Sequence, residues 1–403
     1  MFSILPAALI LFVLASLFKI SFMYNVSYVL FGVYVLATIW SQRTTRDLRF
    51  RRRYQERALL GDVVEVTLEV ENRGWLPVPW VQFHDRLPIA LITPPFYRAV
   101  VSLQPKEIRR FTYELHCRQR GWYQIGPLTA QLGDVFGLNN RQQDFSAGNQ
   151  ITVYPKILPI DELGLPSKSP FGHLRTRQLL YEDPSRVIGV REYQSGDSLR
   201  KVNWKVSASS GRLQVKKLEP AMTLDTVILL NVNLAEYTRQ YAYAAAELGI
   251  VVAASVVNHL ASLRQEVGLL TNGADPADPR VAGLAGYLPR KGRGQLTSIL
   301  ELLGRVTVVS DRSFWPAIRS EIKRLPWGAT LVIVTPRETE ELLETTLPLL
   351  RSGFNVVLIY VDYPNPEVYE VAHQRAALLG MRAYRVWREE DVDVWRRQIR
   401  SAG

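Results

Sequence analysis

Two long apolar runs open the chain. Residues 2–18 carry no charge, and after Lys19 a second uncharged run covers residues 20–40. Each run is close to the roughly 17–25 residues with which an α-helix spans a bilayer. The first run lacks the basic start and the small-residue cleavage pattern of a secretory signal peptide, which favours a retained helix over a removed signal. The sequence thus predicts two transmembrane helices within residues 1–42, with a short outer turn in residues 19–27.

Residues 58–155 have a different pattern, in which apolar and polar side chains alternate. Val64, Val66, Leu68 and Val70 would share one face of an extended segment, because side chains two residues apart point to the same side of a strand. Similar short runs recur between turn residues, and no helical run separates them. The pattern predicts an all-β sandwich domain, whose aromatic side chains, Trp75 included, would fill or border the core.

Residues 223–403 alternate apolar strands with helical runs. The strands are predicted at residues 226–230, 267–270, 330–335 and 354–361. Such alternation is typical of a doubly wound α/β domain with a parallel sheet. Ligands of these sheets bind beyond the carboxyl ends of the strands, which here are residues 231–235 and 335–337.

Positive charge is concentrated directly after the second apolar run. The chain has a formal net charge of +11, and the basic juxtamembrane segment, residues 43–57, follows the predicted span. Positive residues next to a span resist translocation, so we expect the N-terminus and the body on the cytoplasmic side of the plasma membrane. Anionic lipid would bind the arginines there, although an arm for nucleic acid is a competing interpretation. The arginines assigned to lipid headgroups are Arg43, Arg46, Arg49, Arg51, Arg52 and Arg53.

The connector, residues 156–222, is rich in charged and turn residues. Gly196, Asp197 and Ser198 are predicted to end an extended segment and to cap a helical turn over residues 199–204, since Asp and Ser oxygens accept the free amide hydrogens of a helix start. The charged side chains of the connector could bind an anionic ligand or could pair with one another. We favour internal pairing.

The sequence contains no evident catalytic set. No histidine lies in residues 191–219 to act as a base, and the single cysteine, Cys117, excludes an intrachain disulfide and a cysteine-based zinc cluster. The first strand end of the α/β domain carries Asn231, Asn233 and Ala235, whereas a hard divalent cation prefers carboxylates. We therefore predict no catalytic residue, no metal and no cofactor.

Two groups of motifs resemble a known family of membrane-anchored prokaryotic proteins, those with the domain of unknown function 58. The central signature of that family reads here Arg191-Glu192-Tyr193, Gly196-Asp197, Arg200-Lys201-Val202-Asn203-Trp204, Ser207-Ala208-Ser209 and Gly211. A second series, at the end of the sandwich, reads Arg120-Gly121-Trp122-Tyr123, Gly126-Pro127 and Asp134-Val135-Phe136-Gly137. The resemblance covers nearly the whole chain. The candidate interaction site that it suggests comprises Arg191, Tyr193, Gly196, Asp197, Arg200, Trp204, Gly211, Lys216 and Glu219.

The resemblance implies that the C-terminal half is similar to a von Willebrand factor type A domain. In those domains the first strand ends in Asp-x-Ser-x-Ser, and here Asn231, Asn233 and Ala235 take the three places, so metal-dependent adhesion is not expected. Three positions depart from the family's motifs: Asn203 replaces the acid, Ser209 the arginine and Val135 the proline. The resemblance also implies association with a MoxR-type AAA+ ATPase, in a chaperone-like or assembly role.

Three functions follow from these observations. The leading hypothesis is a membrane-tethered interaction protein without enzymatic activity, because the anchor and signature come without a catalytic set. The second is an enzyme that acts on an acidic or phosphorylated substrate through the basic connector between Arg191 and Arg200. The third, binding to nucleic acid, rests on the net charge alone, and we do not expect it.

Overall fold

The computed structural model describes residues 4–133, 140–146, 148–160, 182–194, 197–220, 225–278, 283–325 and 328–392. The chain divides into two compact units. The first unit comprises Met1–Lys156 with Leu300–Val306, and the second comprises Ile157–Ile299 with Thr307–Gly403.

Two apolar helices begin the first unit, α1 (Ile4–Phe18) and α2 (Ser21–Asp47). The Ser27 hydroxyl donates to the Ala8 carbonyl over 2.9 Å, so the helices pack closely. The turn between them is Lys19 and Ile20, which is shorter than the predicted turn in residues 19–27, because α2 already begins at Ser21. α2 is long and apolar enough to cross a membrane. The 15 residues of α1 would rise about 22 Å, less than the roughly 30 Å of a hydrocarbon core.

The predicted basic juxtamembrane segment is not a separate element. Strand β1 (Leu48–Arg53) follows α2 directly and pairs with β3 (Val63–Asn72). Arg43 and Arg46 therefore lie in the last two turns of α2, while Arg49 and Arg51 to Arg53 lie in the first strand. The β-rich part of the unit begins at Leu48, ten residues before the predicted boundary at residue 58, because the alternation of Leu48 and Phe50 already belongs to a strand.

The other strands of the first unit are β2 (Arg57–Leu59), β4 (Val78–Arg86), β5 (Phe96–Leu103), β6 (Ile108–His116), β7 (Gly121–Ile125), β8 (Leu128–Gly133), β9 (Asn140–Ser146) and β10 (Asn149–Tyr154). They form sheets in the orders β1-β3-β6, β2-β10-β7 and β5-β4-β8-β9. One buried core contains Leu68 from β3 together with Phe83 from β4 and Leu132 from β8. Two sheets therefore pack face to face, as in a sandwich. Trp75, predicted to fill or border this core, is instead 67% exposed.

The second unit contains a small hairpin and a mixed sheet. The hairpin consists of β11 (Glu182–Glu192), α3 (Trp204–Ser210) and β12 (Gln214–Pro220). The strands of the mixed sheet are β13 (Thr226–Leu230), β14 (Val267–Thr271), β15 (Ala285–Arg290), β16 (Thr330–Thr335), β17 (Asn355–Tyr360) and β18 (Arg382–Arg385). Its helices are α4 (Ala242–Ser262), α5 (Arg293–Arg305), α6 (Phe314–Glu321), α7 (Glu340–Arg351) and α8 (Pro366–Leu378). The part of α5 from Leu300 onward belongs to the first unit.

The mixed sheet has the order β15-β14-β13-β16-β17-β18. Its strands run parallel except β15, which pairs antiparallel with β14 at one edge. Every residue of β13 and β16 is buried, as expected for central parallel strands that helices cover on both faces. α4 is also apolar enough to cross a membrane, but 61% of its apolar window is buried, so we assign it to the core of this unit. The chain order reverses between β13 and β16, and ligand sites of such sheets lie at this point.

Candidate functional site

The family signature folds as the β11–β12 hairpin with a helical insertion. Arg191 on β11 lies opposite Val215 on β12, in antiparallel register. Between the strands, the chain makes a single 3₁₀ turn at Leu199–Lys201 before α3. Val202 and Val215 form the small core of this hairpin and are 4% and 1% exposed. Gly196, and the side chains of Arg200 and Glu219, lie outside the described residues.

Arg191 and Asp197 bind each other through two parallel hydrogen bonds. Arg191 Nη1 donates to Asp197 Oδ2 and Nη2 to Oδ1, each over 2.6 Å. The Gln194 amide adds a third hydrogen bond to Asp197 Oδ2 at 2.9 Å. Hydrogen bonding by Arg191, and then by the Gln194 amide, lowers the pKa of Asp197 to about 2. The carboxylate therefore stays ionised at neutral pH, and this geometry favours the interpretation of the connector's charges as internal pairs.

The predicted role of Asp197 as a helix cap is wrong. Its carboxylate closes the 191–197 turn, and the 3₁₀ turn after it has no side-chain cap. The helix α3 begins at Trp204, where Asn203 Oδ1 accepts a hydrogen bond from the Val206 amide over 3.4 Å. Asn and Asp are comparable as N-terminal caps, so Asn203 performs this capping role in place of the family's acid.

Gly211 and Ser207 define the other end of α3. Gly211 ends the helix with a φ of 68°, a left-handed conformation that glycine adopts without the penalty of a Cβ atom. The Ser207 hydroxyl donates to the Asn203 carbonyl over 2.8 Å and accepts from the Gln214 amide over 2.8 Å. These contacts hold α3 against the start of β12. Nothing in the structure explains Ser209 in place of the family's arginine.

The hairpin exposes several large apolar side chains. Trp204 is 65% exposed, Leu199 61%, Leu213 43% and Val190 41%. Basic and polar side chains lie beside them in sequence, including exposed Arg212, which pairs with Glu192 at 2.9 Å. A hairpin that presents tryptophan and leucine to solvent beside arginine has the composition of a protein-binding surface, in which aromatic and arginine residues are enriched. Among the other candidate residues, Tyr193 is half-buried and its amide donates to the Leu213 carbonyl, and Lys216 lies opposite Val190.

The carboxyl end of β13 holds a network of amide side chains around one carboxylate. Glu236 accepts hydrogen bonds from Asn231 Nδ2 at 2.8 Å, Asn233 Nδ2 at 3.3 Å and Trp315 Nε1 at 3.2 Å. The oxygen of Asn231 accepts from the Asn233 amide and from Asn272 Nδ2. The oxygens of both asparagines are thus used within the protein, and their N–H groups point at the carboxylate.

This arrangement does not suit a divalent cation. A hard cation requires several oxygen ligands, but Asn231 and Asn233 present N–H donors to Glu236, and the exposed Ala235 has no side-chain ligand. Within the described residues, no group of three or more His, Cys, Asp or Glu side chains could hold a metal. At the neighbouring strand end, Arg337 Nη2 lies 3.5 Å from the buried Asp362 carboxylate, and this positive charge would repel a cation.

The second sequence series, at the end of the sandwich, positions Arg120. Arg120 Nη1 donates to the carbonyls of Leu303 at 3.0 Å and Val306 at 2.7 Å, both in the first unit. A cation is favourable here because Leu303 lies in the last turn of α5 and Val306 directly follows the helix. Gly126 has a φ of 102°, which accounts for glycine at that position. Residues 134–137, the last part of the series, lie outside the described residues.

Arg52 does not face lipid, contrary to the prediction. Its side chain is 2% exposed and pairs with Asp85, whose side chain is 0% exposed, over 2.6 Å. Tyr113 donates to the same carboxylate over 2.7 Å, and burial raises the pKa of Tyr113 well above its usual value. In the sequence, Arg52 is two residues from Phe50 and four from Leu48. The three side chains therefore share one face of β1, and this pattern could have predicted that Arg52 points inward. The other five arginines, assigned to lipid with Arg52, are exposed.

Comparisons with known proteins bear on this description. Residues 189–303 match the family described as "Protein of unknown function DUF58". The uncharacterized protein YeaD of Bacillus subtilis is 23% identical over 184 residues, which are 42% of this chain and 44% of that protein. The chain thus spans less than half the length of this curated relative. The family resemblance found in the sequence is confirmed.

Two solved structures are each similar to about a quarter of the chain. A CARDB domain from Pyrococcus furiosus is 20% identical, with 27% of this chain and 92% of that chain covered and a TM-score of 0.21. A cohesin module from Clostridium perfringens is 15% identical, with 26% of this chain and 96% of that chain covered and a TM-score of 0.22. These low scores carry no argument about function.

Proposed function

We propose that this chain, a member of the DUF58 family, is a membrane-anchored protein that binds a protein partner through its signature hairpin and has no enzymatic activity of its own. The observation that carries the proposal is that the signature hairpin exposes Trp204 and Leu199. The competing enzymatic hypothesis assigned substrate binding to the same hairpin. There, however, Arg191 forms a two-hydrogen-bond pair with Asp197, which supports a structural role for both residues.

The proposed partner is a MoxR-type AAA+ ATPase, in the assembly or maturation of other proteins. The family resemblance of the signature supports this choice. We also propose that the α/β domain is of the von Willebrand factor A type, with a degenerate metal site. The strand order, with one antiparallel edge strand beside five parallel strands, supports this assignment, and so does the position of the Asn231 network at the end of the first strand.

Trp204→Ala is expected to weaken binding of a purified MoxR-type ATPase from the same organism by about tenfold or more. An anchor tryptophan at the centre of an interface typically contributes that much. The measurement is a titration of the full-length protein in detergent with the ATPase. Tyr243→Ala is the matched control, because Tyr243 is 63% exposed in the same unit but lies on α4, outside the hairpin.

Loss of binding in Trp204→Ala, with Tyr243→Ala near the wild-type affinity, would support the proposal. A wild-type protein that keeps its fold and fails to bind the ATPase would count against this partner. Equal losses in the two variants would count against the hairpin as the binding surface.

The proposal places the body of the protein in the cytoplasm. The exposed Arg43 and Arg46 in the last two turns of α2, and the exposed Arg49 just after it, support this orientation, since positive residues next to a span remain on the cytoplasmic side. A fluorescent protein that folds only in the cytoplasm, fused after Gly403, is expected to be bright. An alkaline phosphatase that is active only outside the cytoplasm, fused at the same place, should be inactive. The reverse result would contradict this orientation.

A further inference from the structure

The apolar surface of α2 ends near Trp40. Along this helix, exposed large hydrophobic side chains continue from Phe22, which is 73% exposed, to Ile39, which is 49% exposed. The next exposed side chains are Gln42, Arg43 and Arg46. From Ser21 to Trp40 a helix rises about 29 Å, close to the roughly 30 Å of a hydrocarbon core. If α2 spans the membrane, as proposed above, its last two turns lie at the level of the lipid headgroups.

The loop between β3 and β4, residues 73–77, is bound to the end of α2 at Trp40 and at Asp47. Trp40 Nε1 donates to the Pro77 carbonyl over 3.1 Å. The Arg73 amide donates to the Asp47 carbonyl over 2.9 Å. The two ends of the loop are thus attached seven residues apart on α2, which is about 10 Å along the helix axis. The loop therefore runs beside α2 from the sandwich back toward the bilayer.

Buried Asn72 holds this loop in one conformation. Asn72 is 0% exposed, and its Nδ2 donates to the carbonyls of Leu76 at 2.9 Å and Gln104 at 3.0 Å. Its Oδ1 accepts from the Gly74 amide at 3.0 Å. A Cβ atom on Gly74 would lie 2.7 Å from Asp47 Oδ2, so the loop passes very close to the end of α2. The position of its tip relative to α2 is thereby fixed.

Trp75 is the tip of this loop and is 67% exposed. The fold therefore does not bury this large aromatic ring. Tryptophan is favoured at the headgroup level of membranes because its ring is amphipathic. Lys106 Nζ donates to the Arg73 carbonyl of the same loop, and Arg43 and Arg46 are exposed on the end of α2 to which the loop is bound. Basic side chains at this level bind anionic headgroups.

We infer that the 73–77 loop is a second membrane contact of the sandwich, in which Trp75 inserts into the headgroup region of an anionic bilayer beside α2. This inference rests on the proposal that α2 anchors the chain. It adds a direct contact between the sandwich and the lipid beside the anchor helix.

The sandwich itself supplies a matched control position. β4 begins at Val78, next to the loop, and ends at Arg86, which is about 27 Å away along an extended strand. Ile89 follows that far end and is 73% exposed. Trp75 and Ile89 are thus similarly exposed apolar residues at opposite ends of the same strand.

The test measures lipid contact at these two positions in the full-length protein. Trp75→Cys and Ile89→Cys are made in a Cys117→Ala background, which removes the buried native thiol. Each variant is labelled with an environment-sensitive fluorophore and reconstituted into vesicles of phosphatidylglycerol and phosphatidylethanolamine, with or without lipids that carry a quencher near the headgroup. Flotation of the vesicles first establishes that the protein is anchored, and thermal melting establishes that each variant is folded.

We expect the quencher to lower the emission of the label at position 75 by about twofold or more, as an interfacial position predicts, and to leave the label at position 89 unchanged. Equal, weak quenching at both positions in a protein that floats would overturn the inference while leaving the anchor intact. A shielded label at position 75 that no lipid quenches would assign Trp75 to a protein contact and would also overturn it. A protein that does not float would overturn the anchor and the inference together.

Discussion

Asp85→Ala is expected to destabilise the sandwich by about 3–5 kcal/mol, because it leaves the buried charge of Arg52 without a partner. Arg52 donates to Asp85 through Nε at 3.2 Å and Nη2 at 2.6 Å. Its Nη1 donates to Asn149 Oδ1 over 2.7 Å. The Tyr113 hydroxyl donates a further hydrogen bond to Asp85 Oδ2 over 2.7 Å. The removal of one carboxylate thus disrupts a network that joins β1, β4, β6 and β10. Urea titration of the full-length protein in detergent, followed by hydrogen exchange of peptides from β4 and β6, measures the loss.

Glu71→Ala is the control for this measurement. Glu71 pairs with Arg73 over 2.9 Å, but the two side chains are 32% and 63% exposed. A solvated pair of this kind contributes about 0–1 kcal/mol. If Asp85→Ala costs no more than Glu71→Ala, then water reaches Arg52 in the native protein, and the buried network does not stabilise the sandwich as we expect.

The sequence predicts the central sheet better than its edges. The predicted strands at residues 226–230 and 330–335 coincide with β13 and β16, because strands buried on both faces are continuous apolar runs. The edge strands β15 and β18 contain exposed or half-buried residues within their spans, so no apolar run marks them. Period-two and helical patterns also distinguish the β-rich part of the sequence from the α/β part, but they do not mark the exact ends of either part.

The sequence could not separate the roles of the adjacent arginines. Arg51, Arg52 and Arg53 form one run of positive charge, and such a run beside a span is compatible with lipid contact at every position. In the structure the run is part of β1, in which neighbouring side chains point to opposite faces. Arg52 is therefore buried against Asp85, and Arg53 is exposed and pairs with Glu69 at 3.3 Å.

The sequence predicted only part of the network at the carboxyl end of β13. The absence of acids at Asn231 and Asn233 was visible in the sequence and argued against a metal. The role of Glu236 was not, because its partners Trp315 and Asn231 are far apart in the chain and meet only when β13 and α6 are packed. One local signal existed, since Glu236 follows Asn233 at the spacing of one 3₁₀ turn, Leu234–Glu236.

Glu236→Ala is expected to destabilise the α/β unit by about 2–3 kcal/mol, since it removes the acceptor of three N–H donors. Of these donors, Asn231 is 0% exposed, Trp315 1% and Asn233 8%. A buried donor that loses its partner costs about 1–3 kcal/mol, and water in the space left by the side chain would recover part of that cost. Hydrogen exchange of peptides from β13 and α6 in the full-length protein measures the effect, which should extend to both elements because Glu236 joins them.

Glu344→Ala provides the comparison, because Glu344 pairs with Arg319 over 3.4 Å at the surface, where the side chains are 69% and 48% exposed. Its loss should cost less than about 1 kcal/mol.

Glu236→Gln should destabilise the unit by an amount between those of Glu236→Ala and Glu344→Ala, since the amide keeps one acceptor oxygen and places an N–H group against the other donors. If Glu236→Ala proves no worse than Glu344→Ala, or if Mg²⁺ raises the melting temperature of the wild type, then the carboxylate binds something other than these donors. The amide network would not be the reason why this strand end lacks a cation site.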